Sequence, residues 1–205
     1  MIIIVDYDAG NIGSIKNMLL RLGYNPIISN KTEDIEKASH LILPGVGSFD
    51  YGMRKLNELG IIEILKEKVL KEKTPILGIC LGAQLMCNKS EEGELKGLGW
   101  INGCVKKFPT YNYEKKFFVP FIGWDRPVIE KESKLLDNLL DNRFYFVHSY
   151  YMECFVETDI LSSNQYSVKF HSSFEKTNIL GVQFHPEKSH SFGKRLLKNF
   201  IENYF

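Results

Sequence analysis

At 205 residues with 44% hydrophobic side chains, the chain is the size of one ordinary domain and can bury a core without disulfides or metals. Its 26 basic and 25 acidic residues leave a net charge of +1, which removes the electrostatic case for nucleic acid or an anionic membrane surface as a partner. Four cysteines without a CxxC pair, and no apolar run of membrane-spanning length, point to thiols in a reducing, cytoplasmic compartment.

The chain opens on Met-Ile-Ile-Ile-Val-Asp, too brief an apolar run for a signal peptide and well suited to a buried strand over residues 2–6. A helix over 12–22 closed by Gly23 comes next, then strands at 26–29 and 40–43, the last stopped by Pro44. Helical patterns fill 50–73, a short buried strand occupies 76–79, and a helix over 81–88 begins with no intervening loop. Such alternation of β-branched runs with amphipathic helices marks crossover units on a parallel sheet. The second half changes character. Strands at 100–108, 118–122, 144–147, 150–156, 166–171 and 179–184 come in quick succession, several of them antiparallel, before a closing helix over 192–204. With no repeat, linker or low-complexity tract, the whole chain, 1–205, is expected to form a single α/β domain: a mostly parallel central sheet flanked by helices, with antiparallel strands in the C-terminal half.

Gly78-Ile79-Cys80-Leu81-Gly82 sets a thiol at the strand-to-helix corner, as in the nucleophile elbow of hydrolases. The nucleophile of such a corner is held in a strained backbone conformation, and side chains two residues before and after it would clash across the turn. The helix beginning there directs N–H groups toward the sulfur and favours its thiolate form. A lone cysteine is more often a core residue, which is the reading for Cys87. At Cys80 the flanking glycines favour a nucleophile.

A cysteine that attacks an amide needs a group to protonate the departing amine, and histidine suits that task. Of five histidines, His185 ends an apolar strand, and in doubly wound sheets the carboxyl ends of strands line the active-site crevice. Glu187 lies two residues on, across Pro186, where its carboxylate can accept the imidazole N–H and fix the tautomer. Cys80, His185 and Glu187 thus form a candidate catalytic triad. Neither the histidines nor the cysteines show metal-ligand spacing, so no metal and no cofactor is expected.

Gly-Ile-Cys-Leu-Gly-Ala-Gln at 78–84 and Gly-Val-Gln-Phe-His-Pro-Glu at 181–187 resemble the class I glutamine amidotransferases, whose fold is flavodoxin-like. Asp-Tyr-Asp-Ala-Gly-Asn at 6–11, Pro-Gly-Val-Gly at 44–47, Gly-Trp at 123–124, Tyr-Phe-Val-His-Ser-Tyr at 145–150 and His-Pro-Glu-Lys-Ser at 185–189 narrow the resemblance to the glutaminase subunits of imidazole glycerol phosphate synthases. It implies that L-glutamine is hydrolysed through a γ-glutamyl thioester on Cys80 and that ammonia passes to a cyclase subunit in a heterodimer. It further implies an oxyanion site from the backbone of Leu81 and of Gly45, Val46 and Gly47, whose glycines let the chain approach or flip. Gln84 and the backbone of His148, Ser149 and Tyr150 would hold the amino-acid end of glutamine. Asn11, Trp124, Tyr145 and Lys188 would face the synthase partner near the ammonia passage.

Two positions depart from the family pattern, Asp8 standing where glycine is usual and Asp125 where asparagine is usual. Both bear on the partner surface more than on the chemistry. The alternatives are a paralogue that feeds ammonia into amidation of a bacterial surface saccharide, a free-standing cysteine hydrolase on the same scaffold, and a non-enzymatic interaction protein. The intact triad argues against the last.

Overall fold

The computed structural model describes residues 1–111, 115–138 and 142–205. The first half alternates strands and helices: β1 (Ile2–Val5), α1 (Ile12–Arg21), β2 (Ile27–Ser29), α2 (Thr32–Glu36), β3 (His40–Leu43), α3 (Phe49–Glu58), α4 (Ile62–Lys66), β4 (Ile76–Ile79) and α5 (Leu81–Leu85). A wider π turn, Glu67–Lys71, prolongs α4. Strands dominate the second half: β5 (Lys89–Ser90), β6 (Gly103–Lys107), β7 (Phe121–Asp125), β8 (Val128–Ile129), β9 (Phe144–His148), β10 (Tyr150–Cys154), β11 (Ile160–Gln165), β12 (Lys169–Lys176) and β13 (Ile179–Val182), closed by α6 (His190–Asn203).

The main sheet runs β2-β1-β3-β4-β13-β12-β10-β6-β5. It is parallel from β2 to β13 and antiparallel from β13 through β12 and β10 to β6. Every residue of β1, β3, β4 and β13 is buried, which is why these strands, His40 apart, read as continuous apolar runs rather than alternating ones. Successive side chains still point to opposite faces. Ile3 and Val5 join Phe49, Leu56 and Leu65 under α3 and α4, whereas Ile2 and Ile4 join Ile15, Leu19 and Phe200 under α1 and α6. No helix among the described residues is long and apolar enough to cross a membrane.

Departures from the expected elements have identifiable physical causes. The helix after Cys80 stops at Leu85 instead of reaching residue 88, because Lys89 and Ser90 are drawn into pairing with Cys104 and Val105. Loop amides serve its end: Leu98 N–H donates to the Leu85 carbonyl at 2.8 Å and Trp100 N–H to the Met86 carbonyl at 2.9 Å. The strand expected at 118–122 begins only at Phe121, past Pro120, which has no N–H to give a ladder. The strand expected at 166–171 runs over Lys169–Lys176. Its partner β11 has no counterpart among the expected strands; its Ser162, Ser163, Asn164 and Gln165 give no apolar run or alternation to mark a strand. Ser162 is fully buried, and its hydroxyl pairs with those of Ser172 and Ser173 at 2.9 and 2.5 Å.

Candidate active site

Cys80 joins β4 to α5 with φ +52° and ψ −111°, a conformation that costs a non-glycine residue on the order of 1–3 kcal/mol and persists only where its surroundings hold it. Its own amide donates to the Val182 carbonyl at 2.8 Å, and its carbonyl accepts from Gln84 N–H at 3.1 Å. Both flanking glycines are close-approach positions. A Cβ on Gly78 would lie 2.7 Å from Ala83 Cα, and one on Gly82 would lie 1.8 Å from the Leu43 carbonyl oxygen. The spacing of glycines around the cysteine therefore reflects α5 packing directly onto the ends of β3 and β4.

Parallel pairing of β13 with β4 opposes Val182 to Ile79, so the residues just after each strand leave the sheet side by side at its carboxyl end. His185 is held there by its backbone amide, which donates to the Tyr145 carbonyl at 2.9 Å. A single 3-10 turn, Pro186–Lys188, brings Glu187 Oε1 to 2.8 Å from His185 Nδ1, with both side chains 2% exposed. Nδ1 donates to the carboxylate, and the buried Nε2 is left for the cysteine. Burial opposes charge on the ring, but interactions with Cys80 and Glu187 outweigh it and push the histidine up to about 10.

A cavity of about 390 Å³ opens over this corner, bounded by Cys80 and His185 and walled by Val46, Gly47, Leu81, Gln84, His148, Ser149 and Tyr150. The structure thus gathers the expected glutamine-site residues in one place. Gln84 reaches the Tyr150 carbonyl through Nε2 at 2.9 Å. His148 is turned the other way, with Nδ1 on the Tyr150 carbonyl at 2.8 Å and its ring among Phe108, Phe121, Phe146 and Phe170. Burial there pushes it down to about 4, so it stays neutral near pH 7.

The expected oxyanion donors are arranged differently from a ready hole. Leu81 N–H donates to the Gly45 carbonyl at 3.3 Å, so in this conformation the donor is already occupied. The neighbouring Pro44 carbonyl accepts from the Tyr7 hydroxyl at 2.5 Å, which anchors one end of the 44–47 segment while Gly47, at φ +113°, leaves the other end free to turn.

Trp124, Tyr145 and Lys188 come together on one rim: Trp124 is edge-on to Tyr145 at 5.9 Å and stacks on His190 at 5.4 Å, and Lys188 Nζ lies 5.7 Å from the Tyr145 ring centroid. Asn11 precedes α1, accepting from the Ser14 hydroxyl at 2.9 Å. Asp8 occupies its usual-glycine position at φ +59°, a region aspartate tolerates, with its carboxylate 3.3 Å from Lys55 Nζ. Asp125 accepts from Asn164 Nδ2 at 2.8 Å. Two site residues are missing from the set expected on sequence grounds. Glu92 lines the cavity and also caps α3 by accepting from Phe49 N–H at 2.8 Å. Gln183 is fully buried beside Cys80, its Nε2 3.7 Å from the sulfur; its place in the Gly-Val-Gln-Phe-His-Pro-Glu motif is the signal that could have found it.

The sequence profile described as glutamine amidotransferase class-I matches residues 3–204. The chain belongs to this family. The amidotransferase is 56% identical over 203 residues to the imidazole glycerol phosphate synthase subunit HisH 2 of Methanococcus maripaludis, covering 98% of this chain and 99% of that one. It is 45% identical to the protein of the same name from Pseudomonas aeruginosa, with 98% and 99% covered, and 44% identical to subunit HisH of Leptospira interrogans, with 98% of each covered. Its fold matches a crystal structure described as a glutamine amidotransferase with TM-score 0.73 at 20% identity, covering 98% and 97%. The glutaminase domain of Trypanosoma brucei CTPS matches with TM-score 0.65 at 15% identity, covering 100% and 94%.

Proposed function

We propose that this amidotransferase acts as one domain, in the cytoplasm, as the glutaminase subunit of an imidazole glycerol phosphate synthase, releasing ammonia from L-glutamine for a cyclase subunit. The observation that carries the reading is the buried His185–Glu187 pair at a strand end beside the strained Cys80 corner. His185 Nε2 takes the Cys80 thiol proton as the sulfur attacks the side-chain amide carbon of glutamine, and the carbonyl electrons move to oxygen. On collapse the carbon–nitrogen bond breaks, His185 gives its Nε2 proton to the nitrogen, and ammonia leaves. Water, its proton taken by His185, then attacks the thioester; glutamate departs and the thiol is restored. Glu187 holds the ring in the tautomer this requires. Gln84 and the backbone of 148–150 hold the amino-acid end, and the Glu92 carboxylate complements its ammonium group.

Ammonia leaves toward the rim formed by Trp124, Tyr145 and Lys188, with Asn11 on the same partner surface. Two of the three HisH relatives carry a copy number, HisH 2, which favours keeping one second reading: a paralogue that supplies ammonia for amidation of a surface saccharide. Both readings share the glutaminase step. Cys80→Ala should abolish glutamate release while leaving the thermal unfolding midpoint near that of the parent, and free ammonia should restore the synthase reaction of the complex. Near-normal glutamate release from that variant would end the nucleophile assignment, and purification of the bound subunit from native cells separates the two pathways.

A further inference from the structure

The hydrogen bonds around Gln84 leave little freedom in how the neighbouring amides are oriented. A backbone carbonyl can only accept, so the Tyr150 oxygen, 2.9 Å away, requires Gln84 to present its NH₂ group. The same NH₂ lies 3.0 Å from Gln183 Oε1, so Gln183 must present oxygen on that side and its own NH₂ on the other. On the other side, 3.7 Å from Nε2, is the Cys80 sulfur. The Gln183 backbone is fixed as well, its N–H donating to the Ser172 carbonyl at 2.8 Å, and the side chain is wholly buried.

We propose that Gln183 is a positioning residue for the nucleophile, its oriented amide holding the Cys80 sulfur in the thiolate form and linking it through Gln84 to the wall that binds glutamine. The proposal rests on Cys80 being the nucleophile. An amide N–H bonds more strongly to a charged acceptor than to a neutral one, so the donor favours thiolate over thiol. A buried glutamine beside a cysteine that only filled space would need no particular amide orientation. Here the orientation is dictated from the Tyr150 carbonyl outward, so whatever moves the 148–150 segment also moves the donor on the sulfur.

The test uses the full chain and measures the rate of Cys80 alkylation by iodoacetamide against pH, with peptide mapping, alongside kcat and KM for glutamine. Gln183→Glu keeps the shape but replaces the donor by a carboxylate next to the sulfur; Gln183→Met removes the donor without charge and serves if the first variant folds poorly. The expected result is a rise of at least one pH unit in the alkylation midpoint for Gln183→Glu, a smaller rise for Gln183→Met, and a kcat at least tenfold lower with KM within about threefold. Variants that lose thermal stability yet keep the parent's alkylation midpoint would overturn the proposal and leave Gln183 as packing. Alkylation that persists at other cysteines with Cys80 untouched would instead remove the nucleophile reading beneath it.

Discussion

The two histidines of the site are pushed in opposite directions by their surroundings, and each sign has a stability consequence. His148 is neutral in a ring of phenylalanines and falls from 6.5 to about 4. A lowered histidine contributes stability that is present above 6.5 and lost as pH falls through 4, amounting to about 3 kcal/mol at about 1.4 kcal/mol per unit. His185 is raised from 6.5 to about 10, so its contribution is complete below 6.5 and lost as pH rises through 10. Urea unfolding measured from pH 4 to 10.5 should show stability declining on both sides. His148→Gln should flatten the acid limb alone, and an acid limb of unchanged slope would sink the assignment.

At the scale of elements, the elbow shows how one corner can be overdetermined. Strain at Cys80 is held in place by α5 lying against β3, with no room for a methyl group at Gly82, whose Cβ would meet the Leu43 carbonyl oxygen at 1.8 Å. Because the obstacle is backbone, the neighbour cannot rotate away, and Gly82→Ala should cost about 3 kcal/mol or more. The urea midpoint reads this out; a loss under about 1 kcal/mol would mean that α5 can shift without consequence. The facing segment 44–47 behaves in the opposite sense. Its Gly45 carbonyl covers the Leu81 N–H, so a turn of one peptide would free that donor and offer a second, and removal of a single oxyanion donor is worth roughly a hundredfold or more in rate.

For the whole molecule, the segment that covers the donor borders the same cavity as Lys188, and Lys188 sits on the rim with Tyr145 and Trp124. A partner docking on that rim can therefore select the turned form of 44–47. The chain alone should hydrolyse glutamine slowly, and a ligand-loaded synthase partner should raise the rate at least tenfold, roughly 1.4 kcal/mol of barrier. Steady-state glutamate release from the chain alone, with partner, and with partner plus its ligand decides the matter. Full activity in the isolated chain would refute the gating and revive the free-standing hydrolase.

What was legible in the sequence was what neighbours along the chain decide. Buried parallel strands such as His40–Leu43 and Ile76–Ile79 announce themselves as short apolar runs, the first stopped by Pro44 and the second running into Cys80, the cysteine corner carries its own steric signature in Gly78 and Gly82, and Glu187 meets His185 across one turn. Remote partners decided the rest. Ile160–Gln165 becomes a strand because Ser162 finds hydroxyls ten and eleven residues away, and the helix after Cys80 stops early because residues 89–90 pair with β6. The covered Leu81 N–H depends on Gly45, and the amide aimed at the sulfur depends on a chain of contacts from Tyr150 through Gln84 to Gln183. Residue type and spacing specify which groups are available, but hydrogen-bond direction is set by whichever donor or acceptor the folded chain brings opposite them, and that is known only once distant segments meet.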